Sequence, residues 1–544
     1  MTEAAGQRLQ VSTLPELLRN AASRGLGARY FHSGSKVDAL PVAALHSRAS
    51  ELAEQLAGAG VGPGVRVGIV GLNCAEWAVW AWATWLTGAA LVPLPAPLLV
   101  GELFAIQTTN LAEAAGCSMV VGARRYLDPL AGAPLTLWDW GAPVPRWRAP
   151  VPSGRREVVP SDLAVVLCTS GSTAAPKAAR MTHRGAVEWA ATTGLRSSEK
   201  AVPARVNWFP YYHIAGLGTL FELMTPVDEH VLSIKQFLAD PTSWLRLVSE
   251  TRAAFAVSPS STWSRVLDGL VTDPEGIDLS HLERVTFNAE MTDPDVLSRL
   301  RDVCGPLGLR PNTVAVVYAS SEAGRITRTP LGEDPRVDTV DLGELLGSGR
   351  ALAASPGHPS KRVVSCGRPY PGVEIRIGDP DRPAPDRQVG EVWVRGPGVT
   401  DGYLATSDEG SLLGGWLRTG DLAYMADGEL WVTGRADDVV IVEGDKYHPE
   451  DIEWAVSRAT GIEIGKCAAF SAGDGLFVVI EPAASYPDLA DRACTAVADA
   501  IGIVPDRVLL VAPGAIPTTP NGKVQRQKLR AAWTNGTLDR LDEG

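Results

Sequence analysis

The sequence predicts an α/β protein with a large amino-terminal domain and a small carboxy-terminal one. First, helix and strand patterns alternate over residues 13–121, which is typical of a parallel sheet covered by helices. Second, strands of alternating polarity separated by Gly/Asp turns begin at Val373 and indicate an antiparallel, barrel-like portion. Third, the pattern changes after Gly434-Arg435, and 544 residues are too many for one hydrophobic core. We therefore expect a domain of residues 1–435 and a small, mobile α/β domain of residues 436–544.

The elements of the first part follow from local signals. Thr13 can cap a helix, Pro15 suits an early helical position, and Glu16 can complete a capping box. Beyond this first helix, apolar runs of helical and strand length alternate. They predict helices at 49–59, 77–87 and 104–114, and strands at 65–71, 89–94 and 118–121.

The later elements are expected to add further strands. Apolar runs predict buried strands at 251–257, 284–287 and 313–317, after a loop-rich zone at 132–160. A polar region rich in Gly, Ser and Pro runs from residue 322 to 368. The segments VEIRIGD, GEVWVRG and GELWVTG then show the alternation of antiparallel strands. The boundary between the two domains is predicted at Ala436-Asp437, which would act as a hinge.

Composition excludes several classes of protein. The formal net charge is −12, from 50 basic and 62 acidic residues, which argues against a nucleic-acid partner. Seven scattered cysteines with no CxxC pair fit a reducing compartment. The polar amino terminus lacks a signal-peptide pattern, so we expect a cytoplasmic protein. The uncharged stretch 77–101 is interrupted by Pro93, Pro95 and Pro97, and we interpret it as a buried helix and strand instead of a membrane span.

A loop of small hydroxyl-bearing residues follows the apolar strand that ends near residue 168. Its sequence, TSGSTAAPK, provides the hydroxyls of Thr169, Ser170, Ser172 and Thr173, the backbone freedom of Gly171 and the charge of Lys177. Backbone amides and an ammonium group together suit a phosphate chain. The loop does not match GxxxxGK[ST], and GAGVGPG at 58–64 does not match GxGxxG. A plain flexible loop remains the alternative when this segment is considered alone.

Other motifs occur along the chain in a fixed order. They are WFPYYHIAGLG (208–218), NAEMT (288–292), YASSE (318–322), WLRTGDL (416–422), GRADD (434–438) and PTTPNGKVQR (517–526). Together with the phosphate loop, this set resembles the adenylate-forming superfamily of acyl- and aryl-CoA synthetases, peptide-synthetase adenylation domains and fatty acyl-AMP ligases. The resemblance covers nearly the whole chain and implies ATP and Mg²⁺ as cofactors.

The resemblance implies a role for each motif residue. Glu322 would help to hold Mg²⁺, and Lys523 would bridge the attacking carboxylate and the phosphate. Asp421 and Arg435 would hold the ribose, while Tyr318 would stack on adenine and Ser321 would touch the α-phosphate. The remaining implied residues are Asn288, Ala289 and Glu290 beside the adenine, His213 between the nucleotide and acid sites, and Asp437 at the hinge.

Each of these residues also has an ordinary structural interpretation. Lys523 could be a solvated turn lysine, and Asp421 could cap a turn. Glu322 could cap a helix, and His213 could be a core histidine. The place of each residue in the ordered motifs favours the functional interpretation, since Lys523 follows PTTP and Asp421 lies between WLRTGD and GRADD. The implied roles also fit the chemistry, because carboxylate and ATP are both anions and their repulsion must be cancelled before oxygen can attack phosphorus.

Within the superfamily, the motifs VSCGRPYPGVEIRI, DGELWVTGR and KYHPEDIE look closest to fatty acyl-AMP ligases. The segment between Glu322 and Gly367 is longer than CoA-forming members usually have. In fatty acyl-AMP ligases an insertion there is thought to hinder the domain movement that CoA transfer needs. The resemblance therefore implies a small-molecule acid substrate and transfer to a carrier-protein thiol or another acceptor. Ala178, Ala319 and Ser321 depart from the usual superfamily residues, and Ile214 after His213 is more similar to CoA ligases than to acyl-AMP ligases, so the resemblance leaves the acceptor open.

Several alternative functions stay open at this point. One is an acyl-CoA ligase, and another is adenylation of nitrite for the diazotisation of an aryl amine in natural-product biosynthesis. A third, from another class, is a nucleotide-binding pseudoenzyme that acts as a scaffold. Retention of Lys523, Asp421 and Glu322 argues against the pseudoenzyme.

Overall fold

Helices and strands alternate through the amino-terminal part of the computed structural model. The structure describes residues 11–25, 27–144, 156–169, 177–192, 203–224, 226–404, 411–442, 445–473, 475–482, 488–518, 524–539 and 541. The first elements are α1 (Leu14–Arg24), β1 (Ala28–Ser33), β2 (Lys36–Pro41), α2 (Val42–Gly58), β3 (Arg66–Val70), α3 (Ala75–Thr87), β4 (Ala90–Leu94), α4 (Glu102–Ala114), β5 (Met119–Gly122), α5 (Arg124–Leu127) and β6 (Leu137–Asp139).

The alternation continues through the middle of the chain. Its elements are β7 (Leu163–Thr169), β8 (Lys177–Thr182), α6 (His183–Ala191), β9 (Ala204–Asn207), α7 (Ile214–Phe221), β10 (Asp228–Leu232), α8 (Ile234–Ala239), α9 (Thr242–Glu250), β11 (Phe255–Ser258), α10 (Ser260–Thr272), β12 (Arg284–Phe287), α11 (Pro294–Cys304), β13 (Val314–Ser320) and β14 (Gly324–Arg328).

The remaining elements form a strand-rich portion and then a mixed one. They are β15 (Val337–Asp341), α12 (Leu342–Gly347), β16 (Ser360–Val364), β17 (Arg368–Pro369), β18 (Glu374–Ile377), β19 (Gly390–Arg395), β20 (Tyr403–Leu404), β21 (Leu412–Leu413), β22 (Trp416–Ala426), β23 (Glu429–Arg435), β24 (Val440–Val442), β25 (Asp445–Tyr447), α13 (Pro449–Thr460), β26 (Cys467–Ala472), β27 (Gly475–Ile480), α14 (Leu489–Ile501), β28 (Arg507–Leu510) and α15 (Arg526–Thr534). A 3₁₀ turn, Ala436–Asp438, lies between β23 and β24.

The amino-terminal part is built on two large sheets whose central strands are parallel. One has the strand order β20-β8-β7-β4-β3-β5-β6, and the other has the order β17-β14-β13-β12-β11-β9-β10-β1-β2. In the second sheet β11, β12 and β13 are parallel neighbours. Their carboxyl ends therefore meet at one edge of the sheet, which is where ligands bind in open α/β sheets.

The antiparallel portion and the carboxy-terminal part follow. Strands β18, β19, β22, β21 and β23 form a five-stranded antiparallel sheet, and β26, β27 and β28 form a three-stranded one. The carboxy-terminal part contains apolar clusters of its own, which include Val440, Ile452 and Val478 in one and Phe470 and Leu529 in another. The predicted α/β class, with a large amino-terminal part built on sheets and a smaller carboxy-terminal part, is confirmed.

The local predictions for the first part are confirmed in type, with differences in bounds. Thr13 caps α1, and both hydrogen bonds of the capping box with Glu16 are present. Helix α3 ends at Gly88, whose φ of 79° suits glycine, and Ala75 and every residue from Trp77 to Trp85 are buried. Within the described residues, none of the helices combines the length and apolar character that crossing a bilayer requires.

Two predicted bounds are wrong. Helix α2 begins at Val42 instead of residue 49, because Val42 and Leu45 bury their side chains in the core. The strand predicted from residue 251 begins at Phe255, because Thr251 ends α9 and its hydroxyl donates to the carbonyl of Leu247 at 2.6 Å. The β-branched shape of Thr251 favours a strand, but its hydroxyl stabilises the end of the helix.

Candidate active site

Three of the predicted nucleotide-binding residues lie in direct contact. Tyr318 belongs to β13, while Asp421 and Arg435 face each other on the paired strands β22 and β23. The Tyr318 hydroxyl donates to Asp421 Oδ2 at 2.5 Å, and Arg435 Nη1 lies 3.4 Å from Asp421 Oδ1. The backbone amide of Asp421 donates to the Thr419 hydroxyl at 3.1 Å. A carboxylate with one donor on each oxygen keeps lone pairs for additional donors, as sugar hydroxyls would be.

Burial raises the pKa of Tyr318 well above its ordinary value, and the neighbouring Asp421 carboxylate adds to this effect. The phenol is therefore neutral at physiological pH, and it donates its proton to Asp421. The pKa of Arg435 is raised even though burial alone would lower it, because Asp421 and Asp438 stabilise its charge. The constellation thus consists of a cation, an anion and a neutral donor in fixed positions.

Glu322 is the second residue after β13, and it lies close enough to Arg435 and Asp421 for their charges to act on it. Burial raises its pKa, while the charges of Arg435 and Lys177 act in the opposite direction. Its carbonyl accepts a hydrogen bond from the backbone amide of Thr400 at 2.6 Å. Among the residues that the structure describes, no group of three or more His, Cys, Asp or Glu is arranged to hold a metal. A single carboxylate beside a phosphate site fits Mg²⁺, which commonly takes one or two carboxylates with water and phosphate oxygens.

The phosphate loop is described at its two ends. Thr169 closes β7 and lies opposite Lys177, the first residue of β8, in an antiparallel pairing. The Lys177 ammonium lies 5.5 Å from the ring centre of Tyr403. Ser170, Gly171, Ser172 and Thr173 lie outside the described residues, and their role in binding phosphate stays a prediction from the sequence.

The predicted adenine-side segment follows β12. Asn288 Oδ1 is buried and has no hydrogen-bond partner among the described residues. Ala289 has a φ of 69°, in the left-handed region that alanine seldom adopts. Glu290 Oε1 accepts a hydrogen bond from the backbone amide of Ser261 at 2.5 Å. Asn288 therefore has hydrogen-bonding capacity to offer a ligand.

His213 caps the amino terminus of α7. Its Nδ1 accepts a hydrogen bond from the backbone amide of Ala215 at 3.2 Å, and its ring stacks on Phe209 with 5.9 Å between ring centres. Burial lowers its pKa to about 4. The imidazole is therefore neutral near pH 7, and since Nδ1 accepts, its proton is on Nε2.

The other predicted residues are placed as follows. Ser321 is half-buried, directly after β13 and before Glu322. Asp437 is the middle residue of the 3₁₀ turn between β23 and β24. Lys523 lies outside the described residues, but Val524 forms an isolated bridge with Thr518 on the other side of its loop.

The sequence analysis missed a buried network of charges behind this site. Its members are Arg29, Arg205, Glu222, Glu229 and Arg325. Arg29 Nε lies 3.1 Å from Glu229 Oε2, and Arg205 pairs with both Glu222 and Glu229. Arg325 pairs with Glu222 and lies over the ring of Trp189 at 4.7 Å. Charged residues inside apolar strands are the only sequence signal, and they do not reveal which partners meet.

A second missed contact joins the two parts of the chain. Lys361 of β16 is buried, donates to Asp451 Oδ2 of α13 at 2.6 Å and donates to the carbonyl of Thr433 at 3.1 Å. Arg458 of α13 lies 3.1 Å from Asp295 of α11. The segment 322–368, which appears only polar in sequence, therefore supplies a strand that contacts the carboxy-terminal part.

Comparison with known families identifies the family of the chain. A family model described as AMP-binding enzyme matches residues 20–404, and a model described as Disco-interacting protein 2-like, AMP domain, matches residues 437–543. The chain therefore belongs to the AMP-binding enzyme family. It is an ATP-using, AMP-forming acid ligase.

Relatives and solved structures of several kinds are similar to the chain. A putative acyl-CoA synthetase of Caulobacter vibrioides is 28% identical, with 96% of each chain covered. A 4-hydroxyphenylalkanoate adenylyltransferase of Mycobacterium tuberculosis is 30% identical over 69% of this chain and 66% of its own. A medium-chain-fatty-acid–(acyl-carrier-protein) ligase of Moorena producens is 29% identical over 73% of this chain and 71% of its own. A structure from a study of fatty acyl-adenylate ligases of E. coli and L. pneumophila shares the fold, with a TM-score of 0.89 at 24% identity over 97% of this chain and 98% of its own.

Proposed function

We propose that the enzyme adenylates a fatty or aryl carboxylic acid and passes the acyl group to the thiol of a carrier protein. The observation that carries the proposal is the contact of Tyr318, Asp421 and Arg435 beside Glu322, because it combines a ribose acceptor with a carboxylate for a nucleotide-bound cation. The named activities of the mycobacterial adenylyltransferase and the Moorena ligase support the same substrate class.

The residues divide the binding of ATP between them. Asp421 accepts hydrogen bonds from the ribose hydroxyls, and Tyr318 and Arg435 hold its two oxygens in position. Tyr318 also offers its ring to the adenine, and Asn288 offers its unpaired Oδ1 to the base. The phosphate loop and Lys177 hold the β- and γ-phosphates. Ser321 touches the α-phosphate, and Mg²⁺ held by Glu322 would supply positive charge to the phosphate oxygens.

The reaction itself needs no nucleophile from the protein. An oxygen of the substrate carboxylate attacks the α-phosphorus, the bond to the pyrophosphate breaks, and the pyrophosphate leaves with its electron pair. Lys523 lowers the repulsion between the two anions by placing its ammonium between them. A neutral His213 beside the acid site avoids a second charge that would have to be desolvated when the acid binds.

Transfer to a carrier protein is favoured over CoA by the contact between the segment 322–368 and the carboxy-terminal part. The buried pair of Lys361 and Asp451 opposes a large rotation of residues 436–544 about Asp437. The Caulobacter relative named a putative acyl-CoA synthetase keeps CoA as a second candidate acceptor. We place the enzyme in the cytoplasm, where its seven cysteines remain free thiols.

Release of pyrophosphate tests the proposed function. Purified enzyme with ATP and Mg²⁺ is supplied in turn with fatty acids, aryl acids and nitrite, and then with a holo-carrier protein, CoA or an aryl amine. We expect pyrophosphate release with a carboxylic acid and thioester formation on the carrier protein. Lys523→Ala lowers kcat by about 10²–10³-fold, as loss of one charge-stabilising group does in other enzymes.

The matched control is Lys528→Ala, which removes an exposed lysine of α15 and leaves the rate unchanged. ATP binding without acid-dependent release of pyrophosphate would support the pseudoenzyme. Turnover only with nitrite and an amine would replace the carboxylic acid as substrate.

A further inference from the structure

We infer that Arg526 is a positioning residue for adenylation, because it fixes the end of the Lys523 loop to the hinge turn through Asp438. This inference rests on the proposed function, in which Lys523 lowers the repulsion between the two anions as the adenylate forms. Within the described residues, the carboxylates that pair with Arg526 are those of Glu453, Glu450 and Asp438. Arg526 would therefore affect the rate through the position of Lys523.

The geometry around Arg526 joins three separate elements. Arg526 is the first residue of α15, and its guanidinium binds Glu453 of α13 with both ends, at 2.9 Å from Nε to Oε1 and 2.7 Å from Nη2 to Oε2. Nη1 lies 3.2 Å from Asp438 Oδ2 in the hinge turn. Nη2 also lies 3.3 Å from Glu450 Oε1. One side chain thus connects the lysine segment, α13 and the hinge.

Burial gives these contacts their strength. Arg526 is 8% exposed, and Glu453 and Asp438 are also largely shielded from water. A guanidinium in such surroundings forms bidentate pairs that fix direction as well as distance. Glu453 is held in turn, since its Oε1 accepts a hydrogen bond from the backbone amide of Ala469 in β26 at 2.9 Å. The guanidinium therefore has one well-defined orientation.

The position of Arg526 in the sequence links it to Lys523. It follows Lys523 by three residues, and the described residues on the two sides of that loop are bonded to each other. Thr518 bridges Val524, and the backbone amide of Gln525 donates to the carbonyl of Pro517 at 2.8 Å. Both ends of the loop are thereby held next to Arg526. A shift of Arg526 relative to the hinge turn would be passed on to the lysine.

The contact of Arg526 with Asp438 allows a role in positioning Lys523 to be distinguished from a role in stabilising the fold. Glu453 and Glu450 belong to α13, whereas Asp438 lies directly after the predicted hinge residue Asp437. Asp438→Asn weakens the hinge contact and leaves the bidentate pair with Glu453. Glu450→Gln removes the same charge from the same guanidinium and leaves the hinge contact. The two variants are therefore a matched pair.

The experiment compares the two variants in acid-dependent release of pyrophosphate by the full-length enzyme. We expect Asp438→Asn to lower kcat by about tenfold, since small misplacements of catalytic groups have large effects on rate. The Tm stays as in the wild type. Because Asp438 also stabilises the charge of Arg435, the Kd for AMP is measured alongside, and kcat falls by more than any change in that Kd. Glu450→Gln keeps kcat within about twofold. Arg526→Lys keeps the positive charge but loses the planar guanidinium that forms the bidentate pair, and it lowers kcat in the same way as Asp438→Asn.

The outcomes are separable from a failure of the proposed function. A wild-type enzyme that releases no pyrophosphate, or a Lys523→Ala variant with full turnover, contradicts the proposed function itself. If Lys523→Ala is impaired but Asp438→Asn keeps kcat within twofold, only the positioning role is overturned. It is also overturned if kcat falls equally in Glu450→Gln, or if it falls only together with the Tm or by no more than the affinity for AMP.

Discussion

At the scale of single residues, Ala289 carries backbone strain beside the candidate nucleotide site. Its φ of 69° places the Cβ in the region that glycine occupies without cost. Ala289→Gly is therefore expected to raise the free energy of unfolding by about 1 kcal/mol, measured by urea denaturation. The same change at Ala531, an exposed residue inside α15, is expected to lower it by about 1 kcal/mol. If both substitutions lower the free energy of unfolding, the backbone at Ala289 is not strained.

His183 gives the stability a dependence on pH. It is fully buried, its Nδ1 accepts a hydrogen bond from the backbone amide of Leu14 at 3.3 Å, and burial lowers its pKa from 6.5 to about 4. Because the pKa of His183 is lower in the folded state than in the unfolded state, its neutral form stabilises the fold. This contribution to the free energy of unfolding is complete above pH 6.5 and is lost as the pH falls toward 4, by up to about 3 kcal/mol.

His183→Asn tests this dependence, since an amide can accept the same bond but does not titrate in this range. Urea midpoints of the variant should fall less between pH 7.5 and 5 than those of the wild type. Identical slopes in the two proteins would rule out His183 as a source of the pH dependence.

Residue chemistry could be predicted from the sequence where it belongs to a motif. Asp421 and Arg435 were both predicted to bind the ribose, and the structure places them opposite each other on paired strands. The hydrogen bond from Tyr318 to Asp421 could not be predicted, because it joins strands far apart in the chain and local spacing contains no information about such contacts.

At the scale of elements, the antiparallel pair of β15 and β16 is joined to α13 by the contact of Lys361 with Asp451. Burial raises the pKa of Asp451, and the neighbouring Lys361 charge acts in the opposite direction. Lys361→Met leaves the Asp451 carboxylate, which is 20% exposed, without this partner. We expect it to lower the free energy of unfolding by about 3 kcal/mol, measured by chemical denaturation.

A double-mutant cycle separates this pair from general loss of packing. Lys361→Met combined with Asp451→Asn should recover at least about 1 kcal/mol of the loss in the single variant. Lys36→Met, at an exposed lysine of β2, should change stability by less than about 0.5 kcal/mol. Strict additivity of the two changes would show that the pair contributes no coupling.

Elements were predictable in proportion to their apolar content. Helix α3 was predicted closely because almost all of its side chains are buried, and Gly88 marks its end. The antiparallel pair of β15 and β16, which α12 separates along the chain, was not predicted, because most of β15 faces solvent and its sequence shows little alternation. Its place is decided by tertiary contacts such as that of Lys361, which the local sequence does not encode.

At the scale of the whole molecule, the two proposed domains can be tested as fragments. The apolar clusters of residues beyond Val440 are formed almost entirely within the carboxy-terminal part. A fragment of residues 436–544 should therefore unfold cooperatively in urea, followed by circular dichroism. Residues 1–435 should still bind AMP, since Tyr318, Asp421 and Arg435 all lie there, but should lose acid-dependent release of pyrophosphate with Lys523.

Either fragment can contradict the boundary. An unfolded 436–544 fragment, or a 1–435 fragment that turns over at the full rate, would show that the chain is not divided at the 3₁₀ turn. Limited proteolysis of the intact protein offers an independent measure, with the first cut expected near Ala436–Asp438.

The network of Arg29, Arg205, Glu222, Glu229 and Arg325 restricts how such a protein can evolve. Loss of one member leaves a buried charge without its partner, which costs about 3–5 kcal/mol. This is a large share of the stability of a typical domain. Exchange of the whole set for apolar side chains can instead be neutral. Lineages that descend from a common ancestor should therefore inherit these five positions together or replace them together. Intermediate genotypes should be rare, because each would have to survive on a weakened fold.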